Sequence, residues 1–324
     1  MFFYLAPIQG ITDSSFRNIY CSSFAGIDCC MAPFVSAVAE EKVSRKLFKD
    51  ILPENNAGNK VIPQILGNSA TSIIGTANAM KELGYEEANL NLGCPYPMVT
   101  KKNRGAGLLR DTDNLDRLLD DIFTKINIRL SIKTRIGFEN PSEILKLVEI
   151  YNRYPMSELI IHPRVASQMY SGRASIDAFI KVVELSGHKL VYNGDICGRS
   201  FFNDLKIKIP DIDRWMIGRA AISNPFLPEM ILNNSPVPEN AQKRFFRFHD
   251  ELYTAYSEKF HGPAHLLDKM KGLWRYFCIS LKNGSEICKK INKLKNITQY
   301  IETLKDLKSS GVDFIELNSP LHLK

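Results

Sequence analysis

Eight short runs of Val, Ile and Leu recur through the first two-thirds of the chain, and they restrict the possible folds more than any other feature. The runs are apolar throughout, so they predict strands that are buried on both faces of a parallel sheet. Their spacing of about 25–40 residues is the length of one strand plus a crossover helix. The predicted strands are residues 3–8, 29–35, 61–66, 88–92, 130–136, 158–162, 190–193 and 214–217.

Helix start signals lie between these strands. Ser69, Asp111 and Asn140 each precede an amphipathic segment in the position of an N-cap, and Asn140 is followed by Pro at the first helical position. Eight strand–helix units in about 235 residues match a (β/α)8 TIM barrel. A doubly wound open sheet stays open as the alternative, because periodicity does not show whether a sheet closes.

The pattern becomes purely helical after Pro225. Residues 233–238 form a linker with two prolines, and helical stretches follow at 241–260, 264–282 and 286–309. We therefore predict a barrel domain over residues 1–235 and a small helical domain over residues 240–324. Residues 312–323 have no assignment from sequence.

The net charge of +7 is concentrated in the predicted helical domain. Residues 241–324 carry 15 Lys or Arg against 9 Asp or Glu, whereas residues 1–240 carry 27 against 26. This distribution is typical of an accessory domain that binds a polyanion. A solvated lysine-rich helix face explains it equally well.

Other global features exclude several classes of protein. The sequence has no run of about 18 apolar residues, which argues against a membrane span. Its start has no basic region of the kind that opens a signal peptide. Seven cysteines without Cys-x-x-Cys spacing favour reduced thiols, no metal site and a cytoplasmic protein.

Polar side chains follow six of the predicted strands. Barrels of this kind carry their active sites at the carboxyl ends of the strands. A buried polar group without a partner costs several kcal/mol, so this clustering predicts a polar ligand. The residues are Gln64, Cys94, Lys133 and Arg135, His162-Pro163-Arg164, Asn193-Gly194-Asp195 and Gly218-Arg219.

The last two strand ends predict a phosphate site. Gly194 and Gly218 allow backbone N–H groups to approach an anion, and Arg219 adds a fork of donors. The alternative is that these glycines only form turns. A Lys133 ammonium inside the barrel needs a negative partner. Flavin mononucleotide (FMN) supplies a phosphate for the predicted phosphate site and, in its reduced ring, negative charge for Lys133. A salt bridge to a barrel carboxylate is the competing explanation for Lys133.

Cys94 lies where the fourth strand breaks into a loop. A lone cysteine is usually a small buried hydrophobe. However, a thiol with a pKa of about 8.5 is protonated at neutral pH and is able to act as a general acid. His162 is predicted to orient a substrate or contact the flavin, with a core histidine as the alternative.

Seven collinear segments together resemble the tRNA-dihydrouridine synthases, and the Cys94 loop is the most specific of them. In the helical part, residues 269–277 resemble a Lys-plus-aromatic helix of that family. The segments are residues 6–13 with Phe16-Arg17, 91–95, 105–109, 133–137, 162–164 with 170–172, 193–196, and 216–220 with Asn224-Pro225.

The resemblance implies an FMN-binding barrel, a helical tRNA-binding domain and NADPH as reductant. Separately, we expect a monomer. Hydride would pass from the flavin to C6 of uracil, and Cys94 would protonate C5. Pro7, Ile8 and Gln9 would line the flavin, Gln64, Lys133 and His162 would contact its ring, and Asn193, Gly194, Asp195, Gly218 and Arg219 would hold its ribityl phosphate. The tRNA phosphates would be contacted by Lys101, Lys102, Arg104, Arg164, Lys269, Lys271 and Arg275.

Two other functions stay open at this point. One is a flavin-dependent reductase of a small pyrimidine or enone, against which the basic C-terminal segment argues. The other is a non-catalytic RNA-binding barrel, against which the combination of Cys94, Lys133 and His162 argues. The target uridine also stays open.

Overall fold

Short parallel strands form the core of the protein. The computed structural model describes residues 1–39, 43–56 and 58–317. Every strand pair of the sheet in those residues is parallel, as the continuous apolar runs predict. The strands are β1 (Phe2–Leu5), β2 (Cys29–Met31), β3 (Val35–Ser36), β4 (Val61–Ile62), β5 (Gln64–Leu66), β6 (Glu87–Leu92), β7 (Arg129–Arg135), β8 (Leu159–His162), β9 (Leu190–Tyr192) and β10 (Arg214–Ile217).

The sheet closes into a barrel, although two of its eight predicted strands are each interrupted. Pro33 lies between β2 and β3, and Pro63 lies between β4 and β5. Proline has no N–H for a ladder hydrogen bond, so the ladder breaks there. β2 pairs with β4, β3 pairs with β5, and β10 pairs with β1, so the sheet returns on itself. The predicted TIM barrel is confirmed, and the open-sheet alternative is wrong.

Helices cover the outside of the barrel. Asp111 caps α4 as predicted, since its Oδ1 accepts a hydrogen bond from the N–H of Asn114 at 3.0 Å. α5 begins two residues later than predicted, because Asn140 Oδ1 accepts from the N–H of Ser142 and forms a turn instead. These helices are α1 (Ser14–Ser23), α2 (Ala70–Glu82), α3 (Pro97–Thr100), α4 (Thr112–Lys125), α5 (Glu143–Tyr151), α6 (Ile176–Leu185), α7 (Arg199–Lys208), α8 (Arg219–Ser223) and α9 (Leu227–Leu232).

The C-terminal segment is helical, with one break that the sequence pattern does not predict. It contains α10 (Ala241–Lys259), α11 (Pro263–Phe277), α12 (Gly284–Lys293) and α13 (Ile297–Ser310). The single helix predicted over residues 286–309 is wrong. The chain is extended at Leu294, and Asn296 then caps α13 by accepting from the N–H of Gln299 at 3.0 Å. Residues 318–324, the end of the predicted helical domain, lie outside the described residues.

The helical segment packs on the barrel through aromatic rings. Phe248 of α10 lies 5.7, 6.1 and 5.0 Å from the ring centres of Phe16, Tyr20 and Phe24. Such pairs contribute about 0.5–1.5 kcal/mol each beyond their burial. Both segments belong to one apolar cluster. The boundary between the two predicted domains is therefore a change of sequence pattern, and the domain division stays a prediction.

Candidate active site

Four reactive side chains meet at the carboxyl ends of β6, β7 and β8. Cys94 follows β6, Lys133 and Arg135 lie in β7, and His162 ends β8. The strand register places Arg135 beside His162. Lys133 and Arg135 influence the pKa of both Cys94 and His162, so these groups lie within electrostatic reach of one another.

A buried amide network holds the turn that carries Cys94. Asn91 Oδ1 accepts hydrogen bonds from the N–H groups of Gly93 and Cys94, at 3.0 and 2.9 Å. Asn91 Nδ2 donates to Gln64 Oε1 at 2.7 Å, and Gln64 Nε2 donates to Asn89 Oδ1 at 2.7 Å. Each amide orients the next, so the network fixes the backbone before Cys94.

Gln64 is fully buried within this network. Its contact with a flavin ring stays a prediction. Asn89 and Asn91 are not among the predicted site residues. The sequence carries a signal for them, since they alternate with leucines in an otherwise apolar strand and buried amides need partners.

The Cys94 thiol is half-buried and protonated. Burial raises the pKa of this thiol above its usual range, although Arg135 and Lys133 oppose the shift. The loop is packed from behind by Gly105, whose φ is +55°, and a Cβ there would lie 2.8 Å from the Cys94 carbonyl oxygen. A neutral thiol in such a fixed loop is suited to donating a proton.

Lys133 has no counter-ion in the part of the chain that the structure describes. Burial, followed by repulsion from Arg135, lowers the pKa of Lys133 to about 7. The salt bridge to a barrel carboxylate is therefore absent among these residues. A ligand that brings negative charge would stabilise the ammonium.

His162 is neutral, and both its ring nitrogens have protein partners. Nδ1 lies 2.6 Å from the carbonyl oxygen of Asn193, and Nε2 lies 3.3 Å from Arg164 Nη1. Since a carbonyl only accepts and a guanidinium only donates, the ring proton is assigned to Nδ1. Burial and the neighbouring cations lower the pKa of His162 well below its usual range.

The structure corrects the prediction that Arg164 contacts tRNA. Its side chain is fully buried, and its Nη2 donates to both carboxylate oxygens of Asp195, at 2.9 and 2.8 Å. The same guanidinium donates to the carbonyl oxygens of Ser171 and Gly172. A charge with this many buried partners is costly to expose, so Arg164 ties loops of the barrel together.

The loops after β9 and β10 enclose a crevice of about 30 Å³, which is lined by the predicted phosphate residues other than Asn193. Asn193 Nδ2 joins the two strand ends by donating to the carbonyl of Met216 at 2.8 Å. Glycine is required at position 194 because the backbone there lies close to the Tyr192 side chain. A Cβ on residue 194 would lie 2.2 Å from the hydroxyl oxygen of Tyr192. The crevice is lined by Gly194, Asp195, Ile196, Cys197, Gly218, Arg219 and Ala220.

The loop after β1, with predicted flavin contacts at residues 7–9, is fastened to the helical segment. Lys269 Nζ donates to the carbonyl of Gly10 at 2.7 Å and lies 3.3 Å from Asp13 Oδ2. Only 9% of the Lys269 side chain is exposed. Lys271 donates to the carbonyl that follows α12. Both lysines were predicted to contact tRNA phosphates. The structure corrects this for Lys269, whose buried ammonium is bonded within the protein. For the half-exposed Lys271 the contact stays a prediction.

The other predicted phosphate contacts lie nearer to solvent. Lys101, Lys102 and Arg275 are exposed, and Arg104 is half-buried. The Nε of Arg104 is buried and has no hydrogen-bond partner among the described residues. Their role in tRNA binding stays a prediction.

Arg135 and Tyr170 complete the mouth of the barrel. Arg135 was predicted at the end of its strand and Tyr170 was noted in a family segment, but neither was assigned a role. Arg135 Nε donates to the carbonyl of Gly93 at 3.0 Å and so braces the Cys94 loop. Its guanidinium carbon lies 5.3 Å from the ring centre of Tyr170, which is edge-on to His162 at 6.3 Å. Arg135 lies two residues after Lys133, on the same face of a strand, which was a signal for it.

The sequence pattern of the dihydrouridine synthase family matches residues 4–315. The chain belongs to this family. A tRNA-dihydrouridine(16) synthase from Vibrio parahaemolyticus is 25% identical over 93% of this chain and 96% of its own length. A probable tRNA-dihydrouridine synthase from Helicobacter pylori is 29% identical over 97% and 96%. The predicted family is thereby confirmed, and with it an oxidoreductase that reduces uridine to dihydrouridine.

Solved structures match the barrel of this dihydrouridine synthase. Morphinone reductase superposes with a TM-score of 0.51 at 12% identity, over 75% of this chain and 88% of its own. An old yellow enzyme homologue from Zymomonas mobilis gives 0.52 at 11% identity, over 75% and 91%. These similarities show the fold alone. Among the described helices, none has the length and apolar character needed to cross a membrane.

Proposed function

We propose that this dihydrouridine synthase is a cytoplasmic monomer that uses FMN and NADPH to reduce a uridine of tRNA. The proposal rests mainly on one observation: a protonated thiol, an ammonium without a counter-ion and a crevice between two glycine loops share one mouth of the barrel. Relatives named tRNA-dihydrouridine synthase B and tRNA-dihydrouridine(16) synthase support tRNA as the substrate. Since these names differ, the position of the uridine stays open.

The direct test incubates the purified protein with FMN, NADPH or NADH, and unmodified tRNA transcripts. Mass spectrometry then reports the addition of two hydrogens to uridine. Dihydrouridine in tRNA, without reduction of free uracil or an enone, supports the proposal. Reduction of the small molecules alone would support the metabolite reductase, and failure to bind FMN would support a non-catalytic RNA-binding barrel.

The residues at the mouth fit FMN. The crevice offers glycine backbone and Arg219 to a phosphate. The carboxylate of Asp195 would repel an anion, but Arg164 and Arg219 lie 2.8 and 3.7 Å from its oxygens and neutralise it. Lys133 would supply a cation to the ring, where reduced flavin carries negative charge.

The protein's own part in the reaction is the delivery of a proton. FMN, when bound and reduced by NADPH, would supply the hydride that C6 of uracil accepts. Cys94 then protonates C5, because its raised pKa keeps the thiol protonated at neutral pH. His162 is unsuited to this role, since its one ring proton is bonded to the carbonyl of Asn193. Lys133 and Arg135 stabilise the thiolate that is left.

FMN affinity is expected to fall as the pH rises above about 7. Lys133 loses its proton around that pH, and an anionic ligand binds the ammonium form more tightly. Each pH unit between the pKa of the free protein and the higher pKa of the complex weakens binding by up to about tenfold. Quenching of FMN fluorescence, titrated from about pH 6 to 9, measures this.

The matched variants are Lys133→Met and Lys60→Met. Lys60 precedes β4 at the opposite end of the barrel and lies 5.6 Å from the ring centre of Phe2. We expect the first variant to bind FMN weakly and without this pH dependence, and the second to behave as wild type. An unchanged pH profile in Lys133→Met would contradict the assignment.

Exposed lysines of α12 and of the short stretch that follows it replace Lys269 as expected phosphate contacts of the helical segment. Lys289, Lys293 and Lys295 are all exposed. Changing the three to Gln is expected to weaken tRNA binding and to lower the slope of log K against log salt by about 2–3. The control changes Lys81, Lys125 and Lys181, which are exposed on α2, α4 and α6. Equal slopes for the two triple variants would exclude α12 as a tRNA surface.

A further inference from the structure

Two tyrosines at the mouth differ from every other aromatic side chain of the protein. The chain has 18 Phe, 12 Tyr and 2 Trp, all of them among the described residues. Tyr96 is 47% exposed and Tyr170 is 37% exposed, and the remaining aromatic side chains are more buried. Their ring centres are 6.4 Å apart. The most exposed aromatic surface therefore lies at one place, beside Cys94.

The backbone that presents Tyr96 is fixed in position. Pro95 and Pro97 flank it, and both restrict its conformation. The carbonyl of Tyr96 accepts hydrogen bonds from the N–H groups of Val99 and Thr100, at 2.8 and 3.0 Å. A ring held open to water on a rigid turn loses little entropy when a flat ligand stacks on it.

Two cations lie over the ring of Tyr170. The guanidinium carbons of Arg219 and Arg135 lie 4.9 and 5.3 Å from its ring centre. Exposed Lys101 and Lys102 follow Tyr96 on the turn after α3. Exposed rings beside cations are the combination that binds single-stranded nucleic acid, since the rings stack on bases and the cations hold the backbone.

We propose that Tyr96, together with Tyr170, forms a stacking site for the unpaired base next to the target uridine. This inference rests on the proposed tRNA reduction. A uridine that enters the barrel must leave its stack, so each neighbouring base loses a stacking partner. The tyrosine pair replaces that partner outside the barrel while the uridine lies within it.

The test uses a tRNA transcript that the wild-type protein modifies, with 2-aminopurine placed on either side of the target uridine. Stacking on a tyrosine quenches the fluorescence of 2-aminopurine. We expect Tyr96→Ala to restore this fluorescence and to raise KM for tRNA by about 5- to 150-fold, with a smaller change in kcat. Tyr96→Phe keeps the ring, so its KM should stay within about twofold of wild type.

Met98→Ala is the matched control, because Met98 lies on the same turn and is 78% exposed but has no ring. The stacking site is overturned if Tyr96→Ala keeps the fluorescence quench and the wild-type KM. It is also overturned if Tyr96→Phe loses as much quench and raises KM as much as Tyr96→Ala. Failure of the proposed function is recognised separately, as a wild-type protein that binds FMN but forms no dihydrouridine. In that event the same variants are compared on a single-stranded RNA that contains 2-aminopurine, and equal quenching by all of them overturns the site.

Discussion

Replacement of Cys94 by alanine is expected to lower dihydrouridine formation by about 10²–10⁴-fold, the usual contribution of a positioned general acid. Burial keeps the thiol protonated, and the hydrogen bonds from Asn91 fix its loop. Reduction of FMN by NADPH should persist, since the thiol takes no part in it. Rapid mixing separates the two steps: the flavin is still bleached by NADPH, but its reoxidation by tRNA slows.

Cys21→Ala is the matched control for this experiment. Cys21 is half-buried like Cys94 but lies on α1. Cys21→Ala should show wild-type rates of flavin reduction by NADPH and of flavin reoxidation by tRNA. Reoxidation of Cys94→Ala at the wild-type rate would remove the thiol as proton donor. Lys133 would then be the next candidate, because its pKa of about 7 also provides a proton at neutral pH.

The fold was predictable because its strands and helices have local signals. Apolar runs identify strands buried on both faces, and Asp111 marks the start of α4. Closure of the barrel depends on pairing between distant strands, which no local pattern records. The break after Lys293 was also missed, because the helical periodicity on its two sides hides three non-helical residues, 294–296, of which Asn296 is the cap.

The candidate site was predictable where strand order alone brings residues together. Cys94, Lys133 and His162 follow neighbouring parallel strands, so their proximity follows from the barrel. The hydrogen-bond partner of each charged side chain was not predictable in this way. Lys269 bonds to Gly10 across 259 positions of the sequence. A lysine on a basic helix looks the same in sequence whether it faces solvent or the loop of another segment.

Arg164 is the clearest example of a cation whose partner was not predictable from sequence. Its replacement is expected to have the largest effect on the free energy of unfolding. Arg164→Met leaves the Asp195 carboxylate buried without its main partner, since only 6% of that side chain is exposed. Removal of one member of a buried ion pair costs about 3–5 kcal/mol of unfolding free energy. Urea denaturation should show a lower midpoint with an unchanged slope.

A double-mutant cycle distinguishes this structural role from contact with tRNA. Asp195→Asn alone should also destabilise the protein, whereas Arg164→Met combined with Asp195→Asn should recover part of the loss, because no unpaired charge stays buried. Arg275→Met is the control, since Arg275 is exposed. It should alter tRNA affinity without changing the urea midpoint. The reverse result for Arg164→Met, weaker tRNA binding at wild-type stability, would restore the original prediction that Arg164 contacts a phosphate.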